Sequence, residues 1–284
     1  MSNARVVNIS NADYHADTTA ISHSGLDLVL ADPAKYYHER IRRTQPAEVS
    51  EALSFGSMFH DAVLRPGEFG NGVVEIPPDV LSKGGARAGS AWKEFQAANP
   101  RKVLLKSDEP MMHMIRSIGE SRGARSMIEM AEHFEHTIFW HDEEHDVERK
   151  ARLDMLIFPK LRIIADLKST STAAAPIDCA YEAAKWGYHR QQEFYKDACE
   201  ELYGGPRFDF VFIFVAKESP YRTTVVRLPN KWIDIGRAQN AKALKTYSEC
   251  LKSGRWLPED HGQIIDVDPP GYLERSATEW ETTQ

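Results

Sequence analysis

Two apolar runs separated by a turn carry charge where a buried strand should have none. Lys150 to Phe158 and Leu161 to Lys168 are rich in apolar and β-branched residues, with Pro159-Lys160 between them, and together they predict a β-hairpin. Centring the turn near Lys160 sets Leu156 opposite Ile164 and Asp154 opposite Asp166, with Cβ atoms about 4.5–5.5 Å apart. Two ionised carboxylates at that separation repel each other unless a cation lies between them. Lys168 follows Asp166 by two residues and so shares its face of the strand. The pattern implies a divalent-metal site with an ammonium group beside it, which is chemistry suited to a phosphodiester.

An acid-x-Lys triplet is a weak signal by itself, since Glu148-Arg149-Lys150 is a second one in this chain. The plain alternative is two solvated strand ends neutralised by Lys168. Context favours the site. Asp166 closes the apolar run Ile163-Ile164-Ala165 and precedes a polar exit, Ser169 to Thr172, and a buried strand ending on charge needs a compensating partner. Gly56 and His60 share a face at i, i+4 in a helical pattern from Ser50 to Leu64. Gln191 and Tyr195 do the same in a helix from Tyr188 to Tyr203, and Glu135 on a strand from Glu135 to Trp140 is a third acid. Each has an ordinary alternative, either a packed core histidine or the edge of an amphipathic helix.

Taken in order, Gly-x-x-x-His, Glu on a strand, Asp, Asp-x-Lys and Gln-x-x-x-Tyr resemble the PD-(D/E)XK nuclease superfamily in its RecB-like branch. They are most like the nuclease domain of exodeoxyribonuclease VIII (RecE) and its phage relatives. Ile21-Ser22-His23-Ser24-Gly25-Leu26 and Asp32-Pro33-Ala34-Lys35-Tyr36 match that group's opening segment, and the likeness runs from about residue 14 to 250. The resemblance implies an α/β fold with a restriction-endonuclease-like core, a central mixed sheet flanked by helices. It implies that His60, Asp154, Asp166 and the Leu167 carbonyl ligate Mg²⁺ or Mn²⁺. Lys168 would orient the attacking water, Gln191 would hold water or phosphate near it, and Tyr195 would support that helix face. The proline of the superfamily name is absent beside Asp154, a departure common in this branch.

With 284 residues the chain can bury one substantial core. The reading divides it into a flexible 1–17, a nuclease domain over 18–254 and an extended tail over 255–284. Within that domain, 18–132 is the helical part and 133–254 the catalytic core. No apolar run is long enough to span a bilayer, so no membrane role and a cytoplasmic location are expected. Three cysteines, Cys179, Cys199 and Cys250, cannot supply the four thiolates of an iron–sulfur cluster. A net charge of −7 is unusual for a nucleic-acid binder, but a metal site concentrates carboxylates and its ions reverse the local potential. Lys83, Arg87 and Lys93, in and after the glycine-rich stretch 82–90, are the expected phosphate contacts.

The remaining elements expected are a helix from Ser24 that restarts after Pro33, a helix over 90–98, one over 110–132 and a long one over 231–251. Strands are expected over 73–77, 147–158, 161–168, 209–216 and 221–227, the last at an edge. His141-Asp142-Glu143-Glu144-His145 matches a zinc-peptidase pattern, but its place between two strands marks it as a hairpin turn. The acid–acid–lysine pattern points to a metal-dependent nuclease, and the resemblance implies a Mg²⁺-dependent exodeoxyribonuclease acting 5′→3′ on double-stranded DNA ends. It would form a homo-oligomer and hand single-stranded tails to an annealing protein or recombinase. A RecB-like endonuclease and a non-catalytic DNA-binding protein on the same fold are the alternatives.

Overall fold

The computed structural model describes residues 3–43, 51–64, 73–100, 103–107, 109–257, 261–269 and 271. Its main strands are β1 (Arg5–Val6), β4 (His133–Asp142), β5 (Val147–Ile157), β6 (Ile163–Thr170), β7 (Asp209–Ala216) and β8 (Thr223–Val226). They form a six-stranded mixed sheet in the order β1-β4-β5-β6-β7-β8. A separate parallel pair joins β2 (Val73–Glu75) to β3 (Val103–Leu105).

β7 shows why the sheet is buried on both faces. Phe210, Phe212 and Phe214 alternate with Val211, Ile213 and Val215, so the aromatic rings enter one helical layer and the aliphatic chains the other. The aromatic side is covered by α2 (His23–Ala31), α8 (Pro176–Lys185), α9 (Tyr188–Tyr203) and α10 (Asn230–Ser253), packed around Leu26, Trp140, Phe194 and Leu244. The opposite side is covered by α4 (Glu51–Val63), α6 (Pro110–Glu120) and α7 (Arg122–Met130), around Phe59, Met114 and Ile118. Each fully buried phenylalanine contributes about 1.5–3 kcal/mol.

The β6 and β7 strands run parallel, from Ile163↔Asp209 to Thr170↔Ala216, and α8 and α9 make the crossover between them. The β5–β6 hairpin has the expected register, with Leu156 opposite Ile164. Helix α9 is pinned to α10 at Gly236, where an added Cβ would lie 2.4 Å from the His189 carbonyl oxygen.

Several boundaries differ from the sequence reading. The polar N-terminus is structured rather than flexible: β1 pairs with β4, and α1 (Asn11–Ala16) buries Tyr14. Without β1, strand β4 would be an edge with unpaired backbone groups, and composition does not report such a distant partner. The single helix expected over 110–132 is broken at Ser121, which accepts from the Ala124 N–H and begins α7. Strand β6 starts at Ile163, not Leu161, and β3 was not anticipated. The tail is anchored past residue 254, because Trp256 is buried and stacks on Tyr36 and Tyr37. Of the 141–145 segment, His141 and Asp142 end β4 and the rest lies in the 143–146 turn, where Asp142 accepts the His145 N–H. No helix among the described residues is long and apolar enough to cross a membrane.

Candidate metal centre and active site

The site lies where the β5–β6 ladder stops. Pairing runs from Ile157↔Ile163 to Met155↔Ala165, and the next pair in register would be Asp154 and Asp166. Instead Asp154 Oδ2 accepts the Leu167 N–H at 2.8 Å, so a side chain replaces the missing backbone bond. The side-chain alternation of β5 slips by one residue at this point: Ala151, Leu153 and Leu156 enter one core layer and Met155 the other. Strand β4 slips at its matching position. Phe134 packs into the α4 layer while Ile138 and Trp140 pack into the α9 layer, and Glu135 between them has a left-handed φ of 50°. A non-glycine residue in that region stores strain of order 1–3 kcal/mol.

The slip changes the expected facing pair. Asp154 turns to α4, where His60 Nδ1 is 3.6 Å from its Oδ2, and His60 Nε2 is 2.9 Å from the Leu167 carbonyl oxygen. A carbonyl only accepts, so without a cation Nε2 carries the ring proton. Donor atoms of His60, Glu135 and Asp154 all lie within 4.8 Å of one another. This set of one imidazole and two carboxylates, with a carbonyl alongside, fits a hard divalent ion. His60, Glu135, Asp154 and the Leu167 carbonyl are the groups that would hold such an ion, which would supply Lewis-acid activation of water there.

Asp166 is not part of that donor group. It is 1% exposed, with Oδ1 2.5 Å from Lys168 Nζ and Oδ2 accepting from Gln191 Nε2 at 3.0 Å. Gln191 therefore holds a carboxylate in place of the expected water or phosphate. Tyr195 follows Gln191 by one turn of α9 and lines the cleft. Burial drives the Tyr195 hydroxyl well above the usual phenol range, so it stays protonated.

Burial is also the main reason the Asp154 carboxyl is raised, with the nearby Asp166 charge adding to it. Burial by itself would lower the Lys168 ammonium, but the Asp166 carboxylate, helped by Tyr188 and Asp154, outweighs it and the net shift is upward. Lys168 Nζ sits 4.7 Å from the Tyr188 ring centre.

A cleft of about 390 Å³ opens onto His60, Glu135, Asp154 and Tyr195, and is walled by Arg152 and by Tyr14 of α1. The sequence reading assigns neither Arg152 nor Tyr188 a role, although period two puts Arg152 on the Asp154 side of an unbroken strand. Of the expected phosphate contacts, Lys83 and Lys93 are exposed. Arg87 is committed to Glu109 at 2.5 Å and to the Leu104 carbonyl at 2.9 Å, tying its loop to β3.

A mixed sheet that places Asp154 and the Asp166-Leu167-Lys168 triplet on adjoining strands, with Gln191 on the crossover helix behind them, defines a PD-(D/E)XK-type fold. The chain belongs to the family described as a PDDEXK-like domain of unknown function (DUF3799), whose model matches residues 22–264. A crystal structure from Eubacterium rectale, described as a "putative exonuclease", is similar with a TM-score of 0.60 and 14% identity. The match covers 95% of this chain and 99% of that one. No curated protein sequence matches.

Proposed function

We propose that the protein is a Mg²⁺-dependent deoxyribonuclease that degrades double-stranded DNA from its ends. In this reading it acts 5′→3′ as a homo-oligomer and leaves single-stranded tails for an annealing protein or recombinase. The observation that carries the reaction class is the convergence of His60, Glu135 and Asp154 beside a buried Asp166–Lys168 pair. The polarity and the partner rest on resemblance to RecE-like enzymes. Glu135, Asp154 and the His60 imidazole would hold the ion together with the Leu167 carbonyl. A bound divalent ion lowers the pKa of water and screens the phosphate charge.

The protein's own groups then have separable tasks. Lys168, fully charged because Asp166 outweighs its burial, stabilises negative charge on the phosphate and orients the attacking water. Asp166 fixes the ammonium position, Gln191 fixes Asp166, and Tyr195 supports that face of α9. With no ion bound, His60 donates to the Leu167 carbonyl and so keeps the donors together. Cations at Lys83 and Lys93 are available to the DNA backbone.

The test is cleavage of linear duplexes labelled at the 5′ or the 3′ end, and of closed circular DNA, with Mg²⁺ or EDTA. Mg²⁺-dependent release of 5′ label with the circle intact is expected. Cutting of the circle would replace the exonuclease reading with an endonuclease, and no cleavage of any substrate would leave a DNA-binding role.

A further inference from the structure

Glu135 has two competing uses. Its carboxylate belongs to the three-donor group with His60 and Asp154, yet its Oε2 is held by Arg152 Nε. A carboxylate oxygen that is fully engaged with a guanidinium cannot also serve a divalent ion at full strength. Two positive charges this close would repel each other. Arg152 has other anchors: Nη1 donates to the Ile9 carbonyl at 3.1 Å and to Thr137 Oγ1 at 3.3 Å, and the guanidinium lies 5.9 Å from the Tyr14 ring centre. The N-terminal segment around α1 therefore holds Arg152 at the wall of the cleft whether or not Glu135 does. Glu135 is the freer partner, with its side chain 36% exposed against 15% for Arg152.

We infer that Arg152 and Glu135 form a cation-exchange switch, in which a divalent ion takes Glu135 from Arg152 and the released guanidinium becomes a phosphate-binding group for the nucleic-acid substrate. With no ion bound, Lys168 balances Asp166 and Arg152 balances Glu135, so these pairs leave no spare positive charge for a polyanion. Once Glu135 turns to the ion, Arg152 is left without a carboxylate of its own, while Lys168 keeps Asp166. Guanidinium suits the task because its planar fork matches two phosphate oxygens. Substrate affinity is then coupled to metal loading through a residue that is not itself a ligand. Arg152 is in this sense a positioning residue for Glu135 before it is a substrate contact. The inference rests on the metal-binding part of the proposed function and not on hydrolysis.

Two binding measurements on the full chain test it. Mn²⁺ affinity is read from the electron paramagnetic resonance signal of the free ion. Oligonucleotide affinity is read by fluorescence anisotropy with a short phosphorothioate oligothymidylate, which resists hydrolysis, in Mn²⁺ and in EDTA. Arg152→Gln removes the competing charge and should tighten Mn²⁺ binding by about tenfold, the effect of one removed unit charge at a few ångströms in a partly solvated cleft. The same variant should weaken oligonucleotide binding by about tenfold in Mn²⁺ and leave it nearly unchanged in EDTA. Arg152→Lys keeps the charge and should retain most of the Mn²⁺-dependent affinity.

Weaker Mn²⁺ binding by Arg152→Gln, or an equal loss of oligonucleotide affinity with and without metal, would overturn the switch and leave Arg152 a structural brace. If Arg152→Gln does not fold, a folded Glu135→Gln variant decides the matter. Oligonucleotide affinity in EDTA that equals the wild type's affinity in Mn²⁺ supports the switch. In that variant, affinity that still requires Mn²⁺ overturns it. Should the wild type show these couplings yet cleave no DNA, the nuclease reading falls and the switch stands.

Discussion

Replacing Asp154 with asparagine should make the protein more stable and remove its response to metal. The Asp154 carboxyl is pushed up to about 7, first by burial and then by the Asp166 charge. For an acid raised in the folded state, the fold binds more protons than the unfolded chain between the two pKa values. Stability therefore falls as pH rises from about 4 toward 7, and the full penalty is present above that. At 1.36 kcal/mol per unit, and allowing for the charge shared with Asp166, the penalty at pH 8 is on the order of 2–4 kcal/mol. An asparagine side chain would keep an oxygen for the Leu167 N–H, now met at 2.8 Å, while losing the charge.

In EDTA at pH 8, Asp154→Asn should melt roughly 5–10 °C above wild type, given about 2–3 °C per kcal/mol for a chain of this size. Near pH 4 the two should converge. Adding Mn²⁺ should raise the wild-type melting temperature and leave the variant unmoved. Scanning calorimetry over a pH series with and without Mn²⁺ measures all of this. A variant less stable than wild type at pH 8 in EDTA would refute the argument, because it would mean that the Asp154 charge is satisfied by the protein alone.

Other substitutions test separate parts of the site. Lys168→Ala should abolish cleavage and cost about 3–5 kcal/mol in a denaturant titration, since buried Asp166 would keep only Gln191 as a partner. Adding Asp166→Asn to it should restore stability but not activity. His60→Ala should raise the Mg²⁺ concentration needed for half-maximal cleavage, and an unchanged Mg²⁺ dependence would make His60 a core residue only. Gly236→Ala, far from the chemistry, should lower the melting temperature by forcing α10 off the His189 carbonyl, 2.4 Å from the new Cβ. A soluble variant with wild-type stability would show that α9 and α10 are free to shift apart.

Much of the core could be read without coordinates because its signals are local. The apolar runs of β5, β6 and β7, and the spacing within α9, depend on residues two to four positions apart, and they yielded the hairpin register and the parallel crossover. Lys168 beside Asp166 follows from period two alone. Less local features were misjudged. Asp154 was expected to face Asp166 squarely, and the slip at Asp154 and Glu135 sends it to His60 and the Leu167 N–H. A period-two reading assumes an unbroken strand, and nothing at Glu135 marks a left-handed φ, since it is not a glycine. The N-terminus looked flexible because its composition is polar, while its order comes from pairing with β4 and from Tyr14 under Lys150 and Arg152.

What the residue order determined by itself was the set of chemical groups and their nearest-neighbour placement: two acids and a lysine on a hairpin, an amide and a phenol on one helix face, and a histidine on another. Only the tertiary structure decided which of them meet. His60 and Leu167 are 107 positions apart yet share a hydrogen bond, and Arg152 is braced by Ile9 from 143 positions away. The physical reason is range: backbone periodicity acts over a few residues, whereas the position of a charge in a cleft is set by the packing of whole layers against the sheet.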